Sequence, residues 1–323
     1  KQAGAVFGDY YGWECPNYFT LEEADRYEKP GWNRSNAFKY VGEECRSARA
    51  GIGLADASHS ARFAVSGPGA EKMLDQLLCT HLPELGEVTA GCALSRLGTV
   101  RSEFAVAREA EDRFLLTSAA TAERYDLDLL HRGRPDDGSV SVENLTGREG
   151  ALAVFGPGSA QLVARVTRIP ESDVHNIGVA SATAGYAPVR IARAGVGGEE
   201  GWQLQTQSEF LRHVFLELMD KGVSLDLCLV GARALNVLRL EAAAPAWGAD
   251  LTRAFTALES GLGELIDYEK GDFRGKAALL DQRENGVGKR LVQLEVFGNE
   301  TFDAMGQEPI RTADGEWVGR TTS

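Results

Sequence analysis

The sequence predicts an α+β fold of two related sheet-and-helix lobes, followed by a shorter β-rich piece. Three observations predict it. A unit recurs: "FAVSGPGAEKMLDQLL" (63–78) and "LAVFGPGSAQLVARVT" (152–167) each read as strand, Gly-Pro-Gly turn and amphipathic helix. The triplets start at Gly67 and Gly156, 89 residues apart, and self-similarity of this kind marks an internal duplication. In "LGTVRSEFAV" (97–106), Val100, Ser102, Phe104 and Val106 alternate with Arg101, Glu103 and Ala105. That period of two marks a strand with one face in a core, as in antiparallel sheets covered by helices on one side. Finally, 323 residues suffice for more than one core.

The elements follow in order. Residues 1–35 are rich in aromatics and turn formers ("YGWECPNYF", "KPGWNRSNAF") and read as a segment that wraps a core. "AFKYVGEECRSARAGIGLAD" (37–56) has apolar and small residues at helical spacing, with Gly51 and Gly53 as a stop. In each repeat Pro suits a first helical turn, and the flanking glycines let the chain reverse sharply. "EDRFLLTSAATAERYDLDLLHR" (111–132) predicts strand then helix, and "GRPDDGSVSVENLT" (133–146) loop then strand. "GGEEGWQLQTQSEFLRHVFLELM" (197–219) predicts strand, turn and a helix with Phe210, Val214, Phe215 and Leu218 on one face. "VGARALNVLRLEAAAP" (230–245) is a helix ending before Pro245, and "KGDFRGKAALLDQRENG" (270–286) closes the first domain, 1–286. Residues 287–323 begin a second unit, with strands expected at "KRLVQLEVF" (289–297) and "GEWVGRTTS" (315–323). No closing element follows, so this unit reads as incomplete. The absence of an initiator Met suggests a processed or excised chain.

Composition narrows the function. A net charge of −13 argues against a general nucleic-acid binder, since phosphates need cations over a wide surface. An anionic ligand would need a local cluster of Arg and Lys against that background. No run reaches the roughly 18 apolar residues of a membrane helix, and the N-terminus lacks the apolar core of a signal peptide. Five Cys without C-x-x-C spacing and five scattered His argue against a zinc site or a disulfide framework, and for buried free thiols. The default compartment is the cytoplasm.

The chain carries no nucleophile elbow, Walker loop, H-E-x-x-H or strand-borne G-x-G-x-x-G, so it does not bring its own dinucleotide or flavin fold. The Gly-Pro-Gly turns have too few glycines for a phosphate fingerprint. Three spots remain. Glu103 with Arg101 shares a sheet face, where a solvated ion pair is the bland reading. Glu199 sits in the turn "GGEEGWQL" before Trp202. Such glutamates are usually just exposed, yet a carboxylate beside an indole also suits a flat heterocycle with N–H donors. Arg233 in "GARALNVLRLE" has Arg239 and Glu241 nearby, and the bland reading is helix-surface charge.

At these residues a resemblance enters. "FGDYYGWECPNYF", "KPGWNRSNAF", "ADASHSARFAVSGPGAEKML", "GTVRSEFAV", "GGEEGWQL", "RALNVLRLE", "WGADLT" and "LESGLG" resemble the aminomethyltransferase superfamily, the glycine-cleavage T-protein and its relatives. The likeness is strongest to the folate-binding C-terminal portion of dimethylglycine and sarcosine dehydrogenases, and it runs over essentially the whole chain. It implies a three-lobed ring with tetrahydrofolate at its centre, the third lobe a β-barrel of which 287–323 is the start. It also implies a catalytic carboxylate at Glu103 and pterin-holding roles for Glu199 and Arg233. Carboxylates accept hydrogen bonds from pterin N–H groups, and a preorganised one can manage a proton during C–N bond formation.

The sequence departs from the family pattern at Glu103, where Asp is usual, and at Ala90 and Val196, where tyrosines are common. Stacking on the pterin is then expected from Trp202 or Trp247. The implied activity is tetrahydrofolate-dependent demethylation of an N-methyl amine such as dimethylglycine or sarcosine, giving methylenetetrahydrofolate. FAD would sit only on an upstream domain or a flavoprotein dehydrogenase partner. Two other readings fit the same residues: a non-catalytic regulatory or assembly subunit, and flavin-independent methyl transfer to tetrahydrofolate.

Overall fold

The computed structural model describes residues 3–297, 301 and 303–323. The chain opens with a hairpin, β1 (Ala5–Tyr10) and β2 (Trp13–Phe19), and a helix, α1 (Ala37–Ala50). α1 ends one residue before Gly51. The helix thus stops at Gly51, the first of the two expected stop glycines, and "IGLAD" forms β3 (Ile52–Asp56). β-Branched Ile52 and fully buried Leu54 favour the pleated surface over a further helical turn.

The first lobe then runs β4 (Ala61–Ser66), α2 (Ala70–Leu77), β5 (Val88–Leu94), β6 (Val100–Ala110), β7 (Arg113–Ser118), α3 (Glu123–Gly133) and β8 (Ser141–Asn144). The second runs β9 (Glu149–Phe155), α4 (Ser159–Thr167), α5 (Glu171–Val174), β10 (Val179–Ala184), β11 (Ala187–Arg193), β12 (Gly201–Gln207), α6 (Ser208–Gly222) and β13 (Leu227–Leu229). Their sheets have the orders β5-β6-β7-β4-β8 and β10-β11-β12-β9-β3-β13. Strand by strand these are one topology used twice, with β3 inserted between β9 and β13 in the second. β3 pairs antiparallel with β9 and parallel with β13.

The repeated turns are alike in detail. Gly67 and Gly156 both have positive φ, 111° and 98°. A Cβ at either would lie 2.4 Å from a backbone oxygen, of Ser139 or of Ala48. Only glycine meets both demands.

Helices cover one face of each sheet. Phe63, Val65, Phe104, Val106, Phe114 and Leu116 bury against Met73, Leu74 and Leu130 in the first lobe. Leu152, Val154, Ile191, Trp202 and Leu204 bury against Leu162, Val163, Val214 and Leu218 in the second. The bare faces meet each other through small residues, among them Ala64, Ala107 and Ala192. Arg190 of β11 ties this junction, 2.9 Å from Glu109 and 3.0 Å from Glu149.

After α7 (Ala232–Glu241) the chain is mostly irregular as far as α8 (Lys276–Asn285). It covers the Glu103 side of β5 and β6 with Leu251, Ala257, Leu262, Ile266, Phe273 and Leu279. The strand expected at 289–297 does not form. Among the described residues no strand pairs with it, and Val292, Leu294 and Val296 are exposed. Alternation alone makes no strand where a neighbour offers only a single backbone bond, here from the Leu291 N–H to the Glu259 carbonyl at 2.8 Å. β14 (Pro309–Arg311) and β15 (Trp317–Arg320) form a hairpin, the latter within the expected strand at 315–323. Among the described residues no helix is long and apolar enough to cross a membrane.

Candidate functional site

β6 carries the candidate carboxylate. Its alternation holds for Ser102, Phe104 and Val106, which are at most 1% exposed, with Glu103 half-buried on the other face; an irregularity in the pairing at Leu94 puts buried Val100 on the Glu103 side, with Cys92 and Leu94. That face looks into an open cavity of about 360 Å³. The wall comes from three parts of the chain: Thr89, Ala90, Glu103 and Ala105 of the first lobe, Arg193 at the end of β11, and Trp247 of the segment after α7. Ala90 stands opposite Ala105, so this part of the wall is low.

Glu103 makes no hydrogen bond or ion pair among the described residues. Burial pushes its carboxyl above the ordinary glutamate range. The other charge in the wall is already committed. The Arg193 guanidinium donates to Glu200 at 2.8 Å and to the Ile177 carbonyl at 3.3 Å, and also bonds the His175 carbonyl. Among the described residues Glu103 is therefore the free charge of the cavity: a carboxylate able to accept hydrogen bonds from N–H donors, and one that burial makes a better proton holder than an ordinary glutamate.

The cavity brings Glu103 and Trp247 together, but not the other three expected residues. Glu199 closes the glycine turn between β11 and β12, where Gly197 and Gly198 have φ of 59° and 84° and Val196 and Glu199 exchange backbone hydrogen bonds at 3.1 and 3.0 Å. Its carboxylate has no partner among the described residues, and it does not line the cavity. Trp202 departs further from its expected place. It is fully buried among the apolar residues beneath the second sheet, on the face opposite to a solvent-facing platform. The Arg193 guanidinium carbon lies 5.5 Å from its indole centroid.

Arg233 sits in the first turn of α7. Ala234 and Leu238 point that helix inward, which turns Arg233 toward the N-terminal segment. There it pairs with Glu28 at 2.6 Å instead of facing the cavity. The start of α7 is fixed from below by Glu44, which accepts from the N–H groups of Gly231 at 2.8 Å and Phe19 at 2.7 Å. Sequence reasoning passed over Arg193. Its one signal was a cation at the end of a strand entering the glycine turn.

The model of the GCVT N-terminal domain family matches residues 1–270. The chain belongs to that family. This GCVT chain is 30% identical over 320 residues to the mitochondrial dimethylglycine dehydrogenase of Rattus norvegicus, covering 98% of the chain and 37% of that protein. It is 28% identical over 338 residues to the mitochondrial pyruvate dehydrogenase phosphatase regulatory subunit of Mus musculus, covering 99% of the chain and 38% of that protein. It thus spans well under half the length of both relatives. The crystal structure of the glycine cleavage system aminomethyltransferase T from Bartonella henselae is similar over 100% of the chain and 82% of its own, with a TM-score of 0.78 and 25% identity. The α+β fold of two related lobes expected from the sequence is the fold of that enzyme.

Proposed function

We propose that this chain is a tetrahydrofolate-dependent one-carbon transfer unit that demethylates an N-methyl amine such as dimethylglycine or sarcosine. The observation that carries the proposal is Glu103: a half-buried carboxylate with no partner among the described residues, in a cavity of about 360 Å³. That volume lies in the range of roughly 300–1,000 Å³ typical of small-ligand sites. When bound, tetrahydrofolate supplies the ring nitrogen that receives the one-carbon unit. Glu103 accepts a hydrogen bond from that nitrogen's N–H and holds the proton released as the C–N bond forms. Trp247 offers an apolar ring surface in the same wall. A ligand longer than the cavity would run past Arg193 toward Glu199, whose carboxylate is free to accept pterin N–H bonds. FAD would enter only through an upstream domain or a flavoprotein partner that oxidises the amine, as the dehydrogenase relative's name suggests.

A second reading has its own support: a regulatory subunit that has kept the fold. Arg233 is paired with Glu28 instead of facing the cavity, and the matched mouse protein is named as a phosphatase regulatory subunit. Isothermal titration of the chain with tetrahydrofolate, beside Glu103→Gln and Glu199→Ala, separates the two. Binding by the wild type, weakened about tenfold or more in Glu199→Ala, supports the transferase reading. Absence of binding by the wild type leaves the regulatory one.

A further inference from the structure

A second open cavity, of about 350 Å³, lies in the segment that follows the two lobes. Its wall includes Glu259, Gln282, Arg283, Arg290 and Leu291, and it shares no wall residue with the Glu103 cavity. Its electrostatics run against those of the whole chain. The protein has 47 acidic and 34 basic side chains, so cations have ample carboxylate partners to choose from. Arg283, Arg290 and the adjacent Lys289 nevertheless make no ion pair among the described residues. Arg283 lies over the Tyr268 ring at 4.5 Å and Lys289 over Phe255 at 5.8 Å, contacts that orient these cations without neutralising them.

The acidic wall residue, Glu259, offsets at most one of these three positive charges. Glu259 is engaged in its own turn, where its Oε2 accepts from the Thr256 backbone N–H at 2.9 Å and the Thr256 hydroxyl at 3.2 Å. Gln282 adds an independent sign of an unfinished site. Its Oε1 is buried and has no hydrogen-bond partner among the described residues. Oxygen and nitrogen of such an amide are assigned from their surroundings, so in either orientation one polar atom of Gln282 is unsatisfied. A buried polar atom left this way costs about 1–3 kcal/mol, and a ligand atom in the cavity would satisfy it.

We propose that this cavity binds a small, multiply charged oxyanion, a phosphate ester or a polycarboxylate, between the guanidinium groups of Arg283 and Arg290. Guanidinium forks match the paired oxygens of either class. Gln282 bonds a further oxygen or hydroxyl of the same ligand, and Lys289 raises the local potential. Surface arginines are commonly solvated and idle. Here two of them flank a concavity, lack carboxylate partners in an acid-rich chain, and stand beside an unsatisfied amide.

The test is isothermal titration of the whole chain at low ionic strength with pyrophosphate and, separately, with citrate. Wild type should bind at least one of them, and a several-fold rise in salt should weaken that binding. Preference for pyrophosphate assigns a phosphoryl ligand, and preference for citrate a carboxylate one. Arg283→Gln/Arg290→Gln should lose tenfold or more in affinity. Its melting temperature without ligand should be unchanged, because both side chains are exposed. If the double variant fails to fold, Arg290→Gln alone should still lose threefold or more. No binding of either anion by the wild type, or equal binding by the folded variants, overturns the proposal. Tetrahydrofolate binding plays no part in the readout, so this result stands apart from that of the first cavity.

Discussion

Glu103 stands directly opposite Cys92 across the β5–β6 pair, so the two side chains share a face of the sheet. Cys92 is 1% exposed, and a side-chain hydrogen bond with Cys79, together with burial, holds its thiol well above the usual range. The nearest cross-strand neighbour of the carboxylate is thus a neutral thiol and not a cation. Nothing there offsets the cost of burying the negative form, which is why the Glu103 carboxyl is raised.

On the proposed one-carbon chemistry, that environment sets a trade between stability and activity. A group whose pKa is raised on folding contributes stability that is fully present below its unfolded value and lost as pH rises through the folded one. At pH 7 and above, Glu103→Gln should therefore be at least as stable as the wild type in urea denaturation. One-carbon transfer by the same variant should fall about 100-fold, the usual scale of a lost acid–base group. A variant that is less stable yet fully active would remove Glu103 from the proton-handling role.

Asp126 supports the same strands from behind. It is fully buried and accepts from the Ser102 hydroxyl at 2.5 Å and the Ser118 hydroxyl at 2.6 Å. Burial nevertheless pushes its carboxyl up to about 6, from an ordinary 3.8. Between those two values the folded state binds more protons than the unfolded, so stability falls as pH rises. The full loss is about 3 kcal/mol at 1.36 kcal/mol per unit. Urea melts from pH 3.5 to 8 should show this slope in the wild type minus Asp126→Asn difference, flat above pH 7. A difference that does not vary with pH would mean that folding leaves the Asp126 pKa unchanged.

The duplicated turns were legible because their requirement is local. Gly67 and Gly156 need a positive φ and a bare Cα, and only a short motif is involved. The alternation of β6 was legible over Ser102 to Val106 for the same reason, since one face is buried there, while the pairing irregularity that moves Val100 to the other side was not. Long-range choices were not. Nothing in "IGLAD" says that β3 inserts between β9 and β13, and nothing in "GARAL" says that Arg233 will meet Glu28, 205 residues earlier. At 289–297 the pattern of a strand was present and its partner was not. At Trp202, a bulky aromatic after a turn served a core equally well as a binding site, and burial decided it.

Gly156→Ala tests the turn argument. The new methyl would lie 2.4 Å from the Ala48 carbonyl oxygen and 2.7 Å from that of Gly51, at a φ of 98°. Both the clash and the backbone strain act on the folded state, for a loss of about 2 kcal/mol or more. Gly67→Ala should cost about the same, because its methyl meets the Ser139 carbonyl oxygen at the same 2.4 Å. A change under about 0.5 kcal/mol in chemical denaturation at either site would show that the turn relaxes freely.

The two tryptophans offer the sharpest separation of packing from binding. Trp202 is fully buried, with Val154, Ile191 and Leu204 in the same cluster. Trp202→Leu removes ring volume from that core and should cost about 3 kcal/mol. Because the side chain faces away from the cavity, tetrahydrofolate affinity measured well below the melting temperature should stay within twofold. Trp247 is only partly buried and lines the cavity. Trp247→Leu should cost about 1 kcal/mol in stability, in line with a half-buried position. Its affinity should fall by up to about tenfold, the equivalent of one aromatic contact. The reverse pattern, with binding lost in a folded Trp202→Leu and kept in Trp247→Leu, would move the ligand out of the Glu103 cavity and to the helix side of the second sheet.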